Sequence, residues 1–137
     1  MNIIGFIADT MYLISVIIPT YNSERTIRRA INSVINQINN NNFSVEILIC
    51  DDGSIDNTIK ICEQYKGKGY NIRIIANEKH TGGPNHGRNN GIKAARGDHI
   101  AFLDHDDEWL LKKIQIQLAQ IEQGYELVYS SKIDRLG

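Results

Sequence analysis

The side chains best suited to chemistry fall into short clusters: Pro19-Thr20-Tyr21-Asn22, Asp51-Asp52-Gly53-Ser54, a glycine-rich run from Thr81 to Gly91 containing Arg88, and Asp104-His105-Asp106-Asp107. Asp104 and Asp106 are two apart, so on an extended segment both carboxylates point the same way. Hard carboxylate oxygens suit Mg²⁺ or Mn²⁺, which usually bind one or two carboxylates plus substrate phosphates. His105 would point away from them and is not expected as a ligand. Asp107 and Glu108 also fit a helix start, where acids favour the dipole, and the two readings are compatible. Asp51 and Asp52 follow an apolar run directly. Gly53 permits a turn with φ > 0, and Ser54 and Asp56 favour the start of a helix. Those roles leave the adjacent acids, Asp51 and Asp52, as the functional candidates.

The glycine-rich run can let backbone amides approach a phosphate. It is not a Walker loop, because no Gly-Lys-Ser/Thr follows, and it does not follow the first strand as a dinucleotide fingerprint would. Arg88 gains interest as a cation shortly before the aspartate cluster. Cys50 and Cys62 read as core thiols, and His80, His86 and His99 show no metal-ligand spacing.

These clusters need elements to hold them. Residues 13–18, 45–50, 72–76, 100–103 and 127–129 read as strands, β-branched and apolar on both faces. Between them, helices are expected from Ser23 through Ile38, from Ser54 to Gly67, from Pro84 at a first helical position to Gly97, and from Trp109 to Gly124. Asparagines 39–42 read as a polar loop. Alternating doubly apolar strands and helices predict an α/β fold, a mostly parallel sheet with helices on both faces. In such sheets ligands bind beyond the carboxyl ends of the strands, where three of the four clusters fall.

The chain has 137 residues, 42% hydrophobic and 23% charged, with a formal net charge of −1. Length predicts one domain, over 13–137, after a short extension over 1–12. The charge balance argues against sequence-independent nucleic-acid binding, and the composition argues against disorder. Two cysteines are too few for a disulfide framework. No apolar run approaches the ~20 residues of a membrane span, and no secretory signal is apparent. The expected location is the cytoplasm or the cytoplasmic face of a membrane.

Four motifs, in order and spacing, resemble family 2 glycosyltransferases of the Rossmann-like GT-A fold: Ser15-Val16-Ile17-Ile18-Pro19-Thr20-Tyr21-Asn22, Asp51-Asp52-Gly53-Ser54-x-Asp56-x-Thr58, Gly87-Arg88-Asn89-x-Gly91 and Phe102-Leu103-Asp104-x-Asp106-Asp107. The resemblance runs from about 13 to 131. It implies transfer of a sugar, with inversion, from a nucleotide diphosphate such as UDP to a hydroxyl of a glycan or lipid-linked acceptor. It places Pro19, Thr20 and Tyr21 beside the nucleotide, Asp51 on the base with Asp52 adjoining, Arg88 near the nucleotide, and Asp104 and Asp106 at ribose and metal, Mn²⁺ or Mg²⁺. Gly87 stands where the family usually has Ala, which is expected to loosen that helix turn. Family domains extend past the fifth strand, so the chain is expected to stop after the donor-binding half, without the catalytic base; Asp107 is the one stand-in. Two other readings follow: a donor-binding module without turnover, and a phosphatase of the haloacid dehalogenase class. The latter needs its Asp-x-Asp on an early strand, with Thr/Ser and Lys partners downstream.

Overall fold

The computed structural model describes residues 11–38, 42–77 and 79–130. They form β1 (Tyr12–Thr20), α1 (Ile27–Ile35), β2 (Phe43–Asp51), α2 (Thr58–Gly67), β3 (Ile72–Ala76), α3 (Pro84–Ala94), β4 (His99–Phe102) and α4 (Lys113–Glu122). All pairings are parallel, in the order β3-β2-β1-β4. The chain moves outward from β1 to β3 and then returns to the far side of β1. Strand order therefore reverses between β1 and β4, and a crevice is expected beyond their carboxyl ends.

Side chains alternate across each strand, and the two sets meet different helices. Ile14, Val16 and Ile18 of β1 share one core with α1, α2 and α4. Ile17, Leu48 and Cys50 form the opposite, smaller core under α3. The expected α/β layering, with helices on both faces, is what the chain forms.

Glycines let α3 lie close to the sheet. A Cβ on Gly91 would sit 2.6 Å from Ile17 Cγ2 and 3.0 Å from Cys50 Sγ. One on Gly87, a turn earlier, would sit 3.3 Å from both the Cys50 carbonyl and Pro19 Cβ. Gly87 therefore does not loosen the helix, which runs unbroken through it; it permits close contact with β1 and β2. The other end of α3 is tied to buried Glu46, which accepts from Ser15 Oγ at 2.6 Å, Arg96 N at 2.7 Å and Arg73 at 3.0 Å. Arg73 also donates to the Ala94 carbonyl. Burial alone would raise the Glu46 carboxyl, but these donors and the Arg73 charge outweigh it and hold it below its usual value.

Several boundaries differ from expectation. Ser23 does not cap α1 with its hydroxyl, which serves the backbone of Tyr21 instead. The Ser23 carbonyl begins a turn, and α1 follows only at Ile27. Ser54 donates to Asp51 rather than capping α2, and Ile55 is 90% exposed. Asp56 instead accepts from the Thr58 amide and hydroxyl at the start of α2. Trp109 packs on the core but precedes α4, which starts at Lys113, so Asp107 and Glu108 are not its first turn. Residues 127–129 form no strand: Leu127 and Tyr129 are 81% and 88% exposed, and the segment does not pair with the open edge of β4. Apolar content alone does not make a strand, whose N–H and C=O groups must also enter a ladder. β1 runs further than expected at both ends, from Tyr12 through Pro19 to Thr20. The missing Pro19 N–H falls on the β4 side, past the last β4 pairing at Ile17. Pro84 starts α3 as expected, and Gly124, at φ 103, follows α4. The remainder of the expected extension, 1–10, and asparagines 39–41 lie outside the described residues.

Gly91→Ala forces a methyl into Ile17 and should destabilise the chain by about 1–3 kcal/mol. Gly67→Ala, with nothing within 4 Å of its new Cβ, should be neutral or stabilising by up to about 1 kcal/mol. Urea unfolding of both variants checks the contrast, and equal effects would remove the packing explanation.

Candidate functional site

Alternation along β1 and β2 sorts the strand-end residues before any ligand is considered. Thr20 and Asp51 fall on the face of α1 and α2, whereas Pro19 and Asp52 fall on the face of α3. Asp51 is 2% exposed and works locally. It accepts from the amides of Gly53 and Ser54 at 3.1 and 2.9 Å, and from Ser54 Oγ at 2.5 Å. Ser54 Oγ in turn accepts from Asn22 N at 2.8 Å, and Asn22 Oδ1 accepts from Ile55 N at 2.9 Å. The loops after β1 and β2 are thereby laced together.

Asp52 reaches the other way. Its carboxylate accepts from Thr81 N at 2.9 Å, Thr81 Oγ1 at 2.7 Å, Gly82 N at 3.2 Å and Asn77 Nδ2 at 3.0 Å. Burial alone would raise this carboxyl, but the side chains of Thr81 and Asn77 and the amides of Thr81 and Gly82 hold it well below the carboxylate range. Gly53 lets the anchored loop pass: its φ is 85, and a Cβ there would sit 3.1 Å from His80 N.

The result is a cleft of about 420 Å³ lined by Pro19, Tyr21, Asp52, His80, Gly82, Gly83, Pro84, Arg88, Asp104, His105 and Asp106. Of the residues singled out from sequence, it brings together Pro19, Tyr21, Asp52, Arg88, Asp104 and Asp106. Thr20 and Asp51 stand behind its wall. Glycines open the first turn of α3 onto the cleft, whose amides and dipole favour an anion. One turn along, Arg88 donates to Asp104 Oδ1 at 2.8 Å and Asn85 Oδ1 at 3.2 Å.

The segment after β4 is a turn, not the extended run expected, with Asp107 N donating to the Asp104 carbonyl at 3.0 Å. The turn still gathers the carboxylates. Oxygens of Asp104, Asp106 and Asp107 lie within 4.8 Å of one another, a hard donor set suited to a divalent cation. The turn is pinned to α1 from outside: Arg29 donates to the Asp106 carbonyl at 2.7 Å, and His105 Nδ1 lies 3.1 Å from Thr26 Oγ1. His80 was not foreseen as part of the site, and no local signal marks it. Its ring stacks on Tyr21 at 3.8 Å and meets Asp52, partners that sequence spacing does not join.

The sequence and the fold have known counterparts. The family described as Glycosyl transferase family 2 matches residues 15–135. The chain belongs to that family. It is 40% identical over 131 residues to the Escherichia coli protein WfgD, named UDP-Glc:alpha-D-GlcNAc-diphosphoundecaprenol beta-1,3-glucosyltransferase, covering 89% of this chain and 49% of WfgD. Among solved structures, Staphylococcus aureus TarS 1–349 in complex with UDP is similar with a TM-score of 0.73 and 35% identity, over 80% of this chain and 32% of that one. The same TarS segment is also solved with UDP-GlcNAc. A mannosyltransferase from Pyrobaculum calidifontis, solved with GDP-Man and Mn²⁺, shares the fold at 19% identity and a TM-score of 0.69. The family 2 chain described here thus spans about half the length of WfgD and a third of the TarS segment.

Because the folded Asp52 carboxyl titrates below its unfolded value, its stabilisation is complete above about pH 4 and is withdrawn as pH falls further. Asp52→Asn, which turns an amide donor towards two backbone donors, should lower the urea midpoint clearly at pH 6. At pH 3 the gap to wild type should narrow. A gap independent of pH would show that the charge on Asp52 does not hold the loop.

Proposed function

We propose that this protein transfers a sugar from a nucleotide diphosphate, a UDP-sugar, to a hydroxyl of a lipid-linked or polymeric acceptor, with inversion. One observation carries the reading: the strand-order reversal gathers an aromatic wall (Tyr21), a helix start, a guanidinium (Arg88) and a three-carboxylate turn around one cleft. Each meets one part of a nucleotide-sugar. A base needs a flat apolar face, a diphosphate needs amides and a cation, and a divalent ion needs oxygens. WfgD, named for a UDP-Glc donor and a diphosphoundecaprenol acceptor, and TarS, solved with UDP and UDP-GlcNAc, support UDP and a lipid or polymer acceptor. No helix among the described residues is long and apolar enough to cross a membrane. A lipid-linked acceptor would bring the protein to the cytoplasmic membrane face.

Asp104, Asp106 and Asp107 would hold Mn²⁺ or Mg²⁺. That ion would supply Lewis-acid stabilisation of the charge growing on the departing diphosphate. Arg88 contributes to the same charge from the α3 side, after exchanging Asp104 for phosphate oxygens. Inversion further requires a base at the acceptor hydroxyl, within about 3 Å of its proton. Asp107, grouped with the other two carboxylates, fits a ligand position better than that of a base.

Calorimetric titration of UDP, GDP and dTDP, with and without Mn²⁺, tests the reading; UDP should bind most tightly, and more tightly with Mn²⁺. Asp106→Asn should reduce the Mn²⁺-dependent gain by about tenfold or more. Arg88→Ala should weaken UDP by about 1.5–3 kcal/mol, the range for a hydrogen bond to a charged group. Undiminished Mn²⁺ dependence in Asp106→Asn, or unchanged UDP affinity in Arg88→Ala, would remove that residue from the donor site.

A further inference from the structure

The loop before α3 places one side chain where nothing in the donor chemistry requires it. The His80 imidazole stacks on Tyr21 with ring centroids 3.8 Å apart and planes 20° from parallel. That separation leaves no room for a second ring on the same face of Tyr21. Its Nδ1 lies 2.8 Å from Asp52 Oδ2. A carboxylate only accepts, so Nδ1 carries the hydrogen in this contact. The backbone around His80 is held independently, because Asp52 also binds Thr81 N, Thr81 Oγ1 and Gly82 N. The side chain itself is 45% exposed. It can rotate away while the loop stays anchored and Asp52 keeps most of its donors.

We propose that His80 occupies the nucleobase position on Tyr21 in the free protein, and that a nucleotide binds by turning the imidazole out. His80 is then a specificity-determining residue. Only a ligand with a flat base competes for the Tyr21 face, and each such ligand binds against the self-stack. This rests on the reading of the cleft as a nucleotide site. The displaced ring leaves through the open side of the cleft, and its hydrogen bond to Asp52 is exchanged for water.

The test is an NMR titration of the 137-residue chain, with the His80 ring signals assigned by their loss in His80→Ala. In the free chain, the Tyr21 ring current should shift these signals upfield. UDP and uridine should move them to unstacked positions, whereas pyrophosphate, which has no base, should leave them in place. His80→Ala and His80→Asn should both bind UDP about 2–10-fold more tightly, as expected from losing one aromatic pair in the free state. Asn keeps a donor for Asp52, so agreement between the variants separates stacking from loop anchoring. UDP binding with unmoved His80 signals, equal displacement by pyrophosphate, or weaker UDP binding by both variants would overturn the proposal and leave the nucleotide site intact. Absence of UDP binding by wild type and both variants would overturn the nucleotide reading itself, and this inference with it.

Discussion

Two adjacent buried carboxylates at the end of β2 hold the loops that form the cleft. Neighbouring residues on a strand face opposite sides, so one pair of acids can organise two unrelated loops. Asp51 folds back on Gly53 and Ser54, and Ser54 then holds the loop after β1. Asp52 gathers the residues before α3. A buried carboxylate without donors would be costly. With four or more donors it is favourable only in this arrangement of loops, which is how a charge specifies geometry rather than merely adding stability.

The second constraint is the close approach of α3. An ordinary helix packs 8–10 Å from its neighbour because side chains intervene, but Gly87 and Gly91 remove those side chains where α3 crosses β1 and β2. The close approach sets where Arg88, next to Gly87, can reach. Glu46 and Arg73 fix the opposite end of the helix, so α3 is located at both ends by interactions that lie outside the cleft.

What was legible in the sequence follows from how local its cause is. Doubly apolar strands, Pro84 at a helix start and the Asp-x-Asp pair depend on near neighbours and can be read along the chain, and with them the layering and the site edge. The starts of α1 and α2 could not be read, because Ser23 and Ser54 serve loop partners rather than the helices they precede. Asp51 and Asp52 look alike in sequence; only the parity of β2 puts one behind the wall and the other on it. His80 was invisible because its partners, Tyr21 and Asp52, are brought to it by tertiary structure alone. Residues 127–129 have strand composition but enter no ladder.

Charge placement around the 104–107 turn is the third constraint. Carboxylate oxygens within 4.8 Å of one another repel by about 1 kcal/mol per pair in water, and by more as water is excluded. A fold seeking only stability would separate them. Here Arg29 and Thr26 hold the turn through the Asp106 carbonyl and the His105 ring. Neither contact uses the carboxylate of Asp104 or Asp106, so the turn is fixed without using up their oxygens. Arg88 partly compensates Asp104 from the opposite wall. A cation entering the turn would relieve the remaining repulsion and free Arg88 for an anion. In the proposed donor site, cation and anion would therefore be coupled ligands, each improving the cleft for the other, as a metal-bound diphosphate requires.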